Sequence, residues 1–366
     1  MKVLHIINSL GTGGAEKLLL DTIPIYRKRG IEMDVLLLWN NDHQFTKQLV
    51  EMNICKIFII NNSSNVRDIY NPINIFKISK IMRQYPIVHV HLFPAQYFAV
   101  IANRLNNSSS KLIFTEHNTS NTRISNKFLK PIDKFFYRDY KKLVCISEEI
   151  RQIYGKYLKT NDTELIVISN GIDVEKYNKA NALKRSYIHF ELQMDDKLII
   201  QVSAFRPQKD QDTLIKCMVL LPGNYKLLLV GDGERKMILM KLVNELGLEK
   251  RVFFLGQRMD VPQLLKSADV VVLSSYYEGL SLASVEGMAS GKPFIASDVP
   301  GLQDIVKEAG ILFTRGNEEE LAVIIKRLIE DPAYAELTAK KGYNRAMKYD
   351  ISTLINKHID MYAQLI

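Results

Sequence analysis

Short apolar runs recur along this chain, each closed by a turn signal and followed by a stretch with helical spacing. That alternation is the feature that most restricts the fold. Residues 3–8, 33–39, 57–60, 87–92, 111–115, 143–146 and 165–169 read as strands, and 15–28 and 73–84 as helices between them. Strand then helix, repeated, predicts βα units around a mostly parallel sheet. The strand runs are continuously apolar rather than alternating, as a sheet covered on both faces requires. The pattern pauses at Asn170-Gly171-Ile172-Asp173 and through a polar segment to about residue 194. It then restarts, with strands at 197–202, 225–230, 251–255, 269–274, 293–297 and 310–313 and helices at 212–221, 235–245 and 282–290. Beyond residue 313 the chain reads as helical, ending in a helix over 351–366.

The expectation is therefore an α/β protein of two doubly wound, Rossmann-like domains facing across a cleft. Residues 1–175 form the first domain and 190–348 the second, with 349–366 a helix crossing back to the first. In such sheets ligands bind beyond the carboxyl ends of strands, so the loops there carry the information.

Composition narrows the partners. The chain has 366 residues and a formal charge of +9, compatible with nucleic acid, an anionic membrane surface or phosphorylated small molecules. Cys55, Cys145 and Cys217 are scattered and odd in number, which argues against a disulfide framework or a structural zinc site and fits a reducing cytoplasm. No apolar run is long enough to span a bilayer.

Six loops stand out. Gly11-Thr12-Gly13-Gly14-Ala15-Glu16 follows a strand and opens a helix. Glu16 stands where a dinucleotide fingerprint needs glycine, and no P-loop Gly-Lys-Ser/Thr follows. What remains is a glycine turn suited to close approach of an anion at Gly13 and Gly14. Ser203 to Asp210 carries Arg206 and Lys209 where a ligand phosphate would lie. Gly231-Asp232-Gly233 and Gly256-Gln257-Arg258 each follow a strand. Thr115-Glu116-His117-Asn118 ends another, with His117 expected to face the cleft and His89 and His91 near a second strand end.

The sixth loop, Tyr276-Tyr277-Glu278-Gly279-Leu280-Ser281-Leu282, runs into the helix that carries Glu286. Ser281 is a candidate N-cap, and free backbone N–H groups from Gly279 to Leu282 suit a phosphate or sugar oxygen. Glu286 is placed to accept hydrogen bonds from vicinal hydroxyls. No acidic pair is read as a metal motif; the adjacent pairs Asp195-Asp196 and Glu148-Glu149 read as solvated.

These loops together resemble the retaining glycosyltransferases of family 4, which have the GT-B fold. Glu278-x7-Glu286 and the following A-S-G-K-P look like that family's E-x7-E signature and its sequel. G-G-A-E at 13–16, S-N-G-I-D at 169–173, V-G-D-G at 230–233, F-L-G at 254–256 and S-D-V-P-G at 297–301 are similar to further family segments. One departure is Ala204, which occupies the position of the family's arginine five residues before Lys209; Arg206 is displaced by two.

The resemblance implies transfer of a sugar from a nucleotide-sugar, UDP- or GDP-linked, with retention, without cofactor or bound metal. It implies donor binding by Gly13, Gly14, Arg206, Lys209, Gly256, Gln257, Arg258, Gly279, Leu280, Ser281, Leu282 and Glu286. Catalytic roles fall to His117, Glu278, Arg206 and Lys209. The acceptor is expected to be a glycan or lipid-linked saccharide. Residues 123–142, basic and aromatic, suggest peripheral association with the inner face of the cytoplasmic membrane. The competing readings are a dehydrogenase, a GT-B-type nucleotide-sugar epimerase, and a basic nucleic-acid-binding protein. The last leaves both glutamates without a role, and nucleic acid is not expected as a partner.

Overall fold

The structure, a computed structural model, describes the chain except for residues 12, 118–125, 127–128, 159–162 and 280. The chain divides into two compact units, Met1–Gly171 with Ile351–Ile366, and Ile172–Asp350.

Unit 1 is built on strands β1 (Lys2–Ile7), β2 (Glu32–Leu37), β3 (Ile57–Ile59), β4 (Ile87–His91), β5 (Lys111–Glu116), β6 (Tyr140–Cys145) and β7 (Glu164–Val167). They form one sheet in the order β3-β2-β1-β4-β5-β6-β7, and every pairing is parallel. Successive residues of β1 feed opposite cores. Leu4 and Ile6 pack on one face, Val3 and Ile7 on the other, which is why the strand reads as one apolar run. β6 starts earlier than the sequence suggests, at Tyr140, which pairs with Leu112 of β5, and within it Lys142 is buried and ion-paired with Glu164.

Unit 2 holds β8 (Lys197–Val202), β9 (Tyr225–Val230), β10 (Val252–Gly256), β11 (Val270–Leu273), β12 (Phe294–Ser297) and β13 (Ile311–Phe313). Their order is β10-β9-β8-β11-β12-β13, again all parallel. Strand order reverses between β1 and β4 in unit 1 and between β8 and β11 in unit 2. Those are the switch points at which such sheets bind ligands.

The last helix, Ile351–Ala363, belongs to unit 1. Its Leu354, Ile355, Met361 and Tyr362 join the core of that sheet. Polar contacts fasten it: Tyr26 OH meets His358 Nδ1 at 2.6 Å, and His89 Nδ1 meets Tyr362 OH at 2.6 Å. Among the described residues no helix is long and apolar enough to cross a membrane.

Candidate active site

In unit 2 the loops after β8 and β11, on either side of the switch point, are tied together. Lys209 and Ser275 form an antiparallel bridge. Asp210 N donates to Ser274 O at 3.1 Å, Tyr276 N to Gln208 O at 2.9 Å, and Gln208 Nε2 to Tyr277 O at 3.0 Å. Asp210 is buried and caps the next helix, Gln211–Cys217, by accepting from Thr213 N and Oγ1. The register of the loop is thus fixed at its far end. Across this joint Lys209 Nζ pairs with Glu278 Oε1, and Ser275 Oγ donates to the same oxygen at 2.6 Å. The two charged side chains are 15% and 7% exposed.

Neighbouring loops brace the pair. Gly231, at φ +139°, lies so close to the Ser203 carbonyl that a Cβ there would collide with it. Its N–H donates to Gly256 O at 2.9 Å, and Phe205 N donates to Asp232 O at 2.9 Å. Gly301, at φ +82°, presses in the same way on the carbonyls of Glu278 and Gly279. Only glycine satisfies both the left-handed conformation and the contact.

The structure brings Lys209, Ser275, Glu278 and Gly301 together. Arg206 is exposed at the tip of its loop, where its backbone accepts from Lys209 N at 2.9 Å. Ala204, also exposed, offers its carbonyl to Gln211 Nε2 at 3.1 Å. Glu286 is buried in the helix Leu282–Ala289. Ser281 takes the N-cap position, but its side chain makes no capping bond. Instead Ser284 Oγ donates to Ser281 O at 2.7 Å, so the expected side-chain cap is not there. Leu280 lies outside the described residues. Gln257 is exposed, and Arg258 is held by a fork to Asp260 at 2.8 and 2.6 Å; that guanidinium keeps the Asp260 carboxyl below its ordinary pKa.

Sequence reasoning missed Arg235. Its guanidinium forks onto Asp212 at 2.7 and 3.0 Å and reaches the Lys209 carbonyl at 3.4 Å. Its place two residues after Gly233 was the available signal. Asp196, read as solvated, is buried and accepts from Gln193 N at 2.7 Å.

In unit 1, Gly13 is the N-cap residue of the helix Gly14–Lys28. A Cβ on Gly13 would run into the carboxylate of Glu16, whereas Gly14 faces open space. Glu16 therefore folds back over the turn, and burial raises its pKa.

His89 and His91 lie at the end of β4, as expected, but both are buried there rather than open to a cleft, and with His5 they form a polar seam in an apolar core. His5 Nδ1 lies 2.9 Å from His91 Nε2, and His91 Nδ1 lies 3.2 Å from His117 Nε2. His89 Nε2 lies 2.6 Å from Thr115 Oγ1. Burial drives these imidazoles towards the neutral form, with pKa values of about 3 for His5 and about 4 for half-buried His117. Among the described residues His5, His89 and His91 have the spacing of a metal site, with one nitrogen each within 4.8 Å of the others. Both nitrogens of His89 and of His91 already have partners.

Two doubly wound parallel sheets, with a carboxylate pair entering the helix after the switch-point strand, define a glycosyltransferase of the GT-B class. Residues 12–176 match the model described as Glycosyltransferase Family 4, and residues 187–345 that of Glycosyl transferases group 1. The chain belongs to the family 4 type of GT-B glycosyltransferases. A relative in Escherichia coli, UDP-Gal:α-D-GlcNAc-diphosphoundecaprenol α-1,3-galactosyltransferase, is 27% identical over 83% of this chain and 82% of its own. In Campylobacter jejuni, N-acetylgalactosamine-N,N'-diacetylbacillosaminyl-diphospho-undecaprenol 4-α-N-acetylgalactosaminyltransferase is 24% identical over 94% of both chains. The crystal structure of Anabaena HepE in complex with UDP-glucose matches with a TM-score of 0.80 and 25% identity, over 100% of both chains. The fold and the transferase class expected from the sequence hold, and neither the epimerase nor the nucleic-acid reading is favoured.

Proposed function

We propose that this glycosyltransferase moves a sugar from a UDP- or GDP-sugar to a hydroxyl acceptor with retention, and that no divalent cation bridges the donor diphosphate. The observation that carries the reading is the Lys209–Glu278 pair at the β8/β11 switch point. As the glycosidic bond breaks, the diphosphate gains negative charge. Lys209 and Arg206 supply the opposing charge, aided by first-turn amides of Leu282–Ala289 that no Ser281 side chain caps. Glu286 accepts from the ribose hydroxyls, and Glu278, released from Lys209, orients hydroxyls of the transferred sugar. Attack comes from the leaving-group side, and a donor phosphate oxygen takes the acceptor proton. Gly256, Gln257, Arg258, Gly279, Leu280, Ser281 and Leu282 complete the donor contacts. From unit 1 we assign His117 a contact with the sugar or acceptor, and Gly13 and Gly14 an approach to the diphosphate.

The acceptor we assign is a lipid-linked or cell-surface saccharide. Two relatives named for undecaprenol-linked substrates support this. So does the helix Leu129–Tyr137, whose Leu129, Ile132 and Phe135 are exposed at helical spacing. We place the protein in the cytoplasm, peripheral to the membrane.

Thermal unfolding with UDP, GDP, ADP and NAD, each with and without EDTA, tests the donor site. A ligand at about 100 times its Kd adds roughly 2.7 kcal/mol to the folded state. UDP or GDP alone should stabilise, equally with EDTA, and Glu286→Ala should abolish the effect. Stabilisation by NAD alone, or only with added divalent cation, would refute the reading.

A further inference from the structure

His117, His91 and His5 form a continuous chain of imidazoles. His117 Nε2 faces His91 Nδ1 at 3.2 Å, and His91 Nε2 faces His5 Nδ1 at 2.9 Å. A neutral imidazole has one N–H and one lone pair, so the chain has only two self-consistent polarities. In one, every N–H points towards His117, and the inner end, His5 Nε2, is a bare lone pair. In the other, every N–H points inward, and His5 Nε2 is an N–H. That atom is buried and, among the described residues, has no hydrogen-bond partner. An orphaned buried N–H is rarer in proteins than an under-satisfied acceptor, which favours the first polarity.

We propose that His91 and His5 are positioning residues that hold His117 as its Nδ1–H tautomer, so that His117 meets the sugar or acceptor as a hydrogen-bond donor and not as a base. This rests on the assignment of His117 above. It agrees with a mechanism in which a donor phosphate oxygen takes the acceptor proton. It also accounts for a triplet with the spacing of a metal site. A cation on His5, His89 and His91 would displace partners those rings already hold, since His89 is engaged by Tyr362 and Thr115.

The test is multiple-bond ¹⁵N–¹H NMR of the full chain labelled at histidine, with His117 assigned by comparison with His117→Ala. The wild type should show the proton on Nδ1 of His117. His91→Phe and His5→Phe keep a planar ring but remove the polarity, and each should give a mixture of tautomers at His117. Native Trp39 fluorescence checks the packing of unit 1 in both variants. In kinetics His91→Phe should lower kcat about tenfold, the order expected for one misdirected hydrogen bond. The donor KM should stay near its wild-type value, and His91→Gln, whose amide can still donate, should recover part of the loss. A wild-type His117 protonated at Nε2, or one whose tautomer ignores both variants, would overturn the tautomer assignment. A His117 protonated at Nδ1 whose replacement by Ala leaves kcat unchanged would overturn the contact with substrate instead.

Discussion

Lys209 and Glu278, sixty-nine positions apart in the chain, form an ion pair whose carboxylate also accepts the Ser275 hydroxyl. In the proposed mechanism a donor engages both members, the lysine by its diphosphate and the carboxylate by its sugar, which requires the pair to part on binding. Glu278→Gln keeps the shape but frees Lys209. We expect nucleoside diphosphate affinity to be retained or raised while kcat falls about a hundredfold. Lys209→Met should lose affinity and turnover together. Isothermal titration with kinetics on both variants decides it, and equal loss of affinity in both would mean a purely structural pair. Each variant should also lose about 2 kcal/mol in urea unfolding, less than for a fully buried pair.

Gly301 and Gly316 both sit at left-handed φ, +82° and +78°. A Cβ on Gly316 meets nothing, whereas one on Gly301 collides with the backbone of Glu278 and Gly279. Gly316→Ala should cost only the left-handed penalty, about 1–2 kcal/mol. Gly301→Ala should cost more and also weaken nucleotide binding, because the Glu278 loop must move. Urea denaturation beside nucleotide titration separates the two effects.

All three thiols should be inert. Burial pushes Cys145 and Cys217 up to about 12 and Cys55 up to about 11. The thiolate is the reactive form, so the native protein should resist a disulfide reagent near neutral pH and titrate fully in denaturant. A fast-reacting thiol in the native state would contradict this.

Periodicity made the two sheets legible, because both-face burial leaves continuous apolar runs. The E-x7-E spacing and the loop lysine made half of the candidate site legible too. What escaped was pairing across distance. Nothing in the sequence joins Lys209 to Glu278, or shows that Gly301 is small for the sake of Glu278. His89 and His91 read as cleft residues because they fall around a strand end, where such sheets bind ligands. Their hydroxyl and imidazole partners, Tyr362 and His5, lie far away in the chain and make burial tolerable. Tyr137 and Tyr140 were read into a surface segment by composition, yet both are fully buried; the Tyr137 hydroxyl donates to Glu116 at 3.2 Å and the Tyr140 hydroxyl to the Gln96 carbonyl at 2.6 Å.

Acid should destabilise unit 1 early. His5 and His358 have folded pKa values of about 3 and His117 about 4, all below the unfolded value of about 6.5. The unfolded chain therefore binds protons first as pH falls. Stability is full above about pH 6.5 and declines below it, by up to about 1.4 kcal/mol per pH unit for each group, until the folded pKa is reached. Trp39, the chain's one tryptophan, is buried in unit 1 and reports the transition. Urea midpoints should drop between about pH 7 and pH 5, and His358→Phe should flatten the drop. A pH-independent midpoint would show these histidines to be protonated in the folded state.

The helix Leu129–Tyr137 makes the membrane proposal specific. Leu129, Ile132 and Phe135 are 38%, 49% and 50% exposed, at intervals of three, while Asp133 and Tyr137 face the core. Arg104 lies over the Phe135 ring at 4.2 Å and forks onto Asp139, so that ring is held in place. An apolar stripe with Lys130 and Lys134 on the same helix suits insertion among anionic headgroups. The protein should float with phosphatidylglycerol vesicles at low salt and dissociate as salt rises, because the lysine contribution is screened. Combining Leu129→Ser, Ile132→Ser and Phe135→Ser should abolish flotation and spare the nucleotide binding proposed for unit 2. Flotation that survives the triple change would move the contact to another surface, and failure of the wild type to float at low salt would remove the membrane from the proposal.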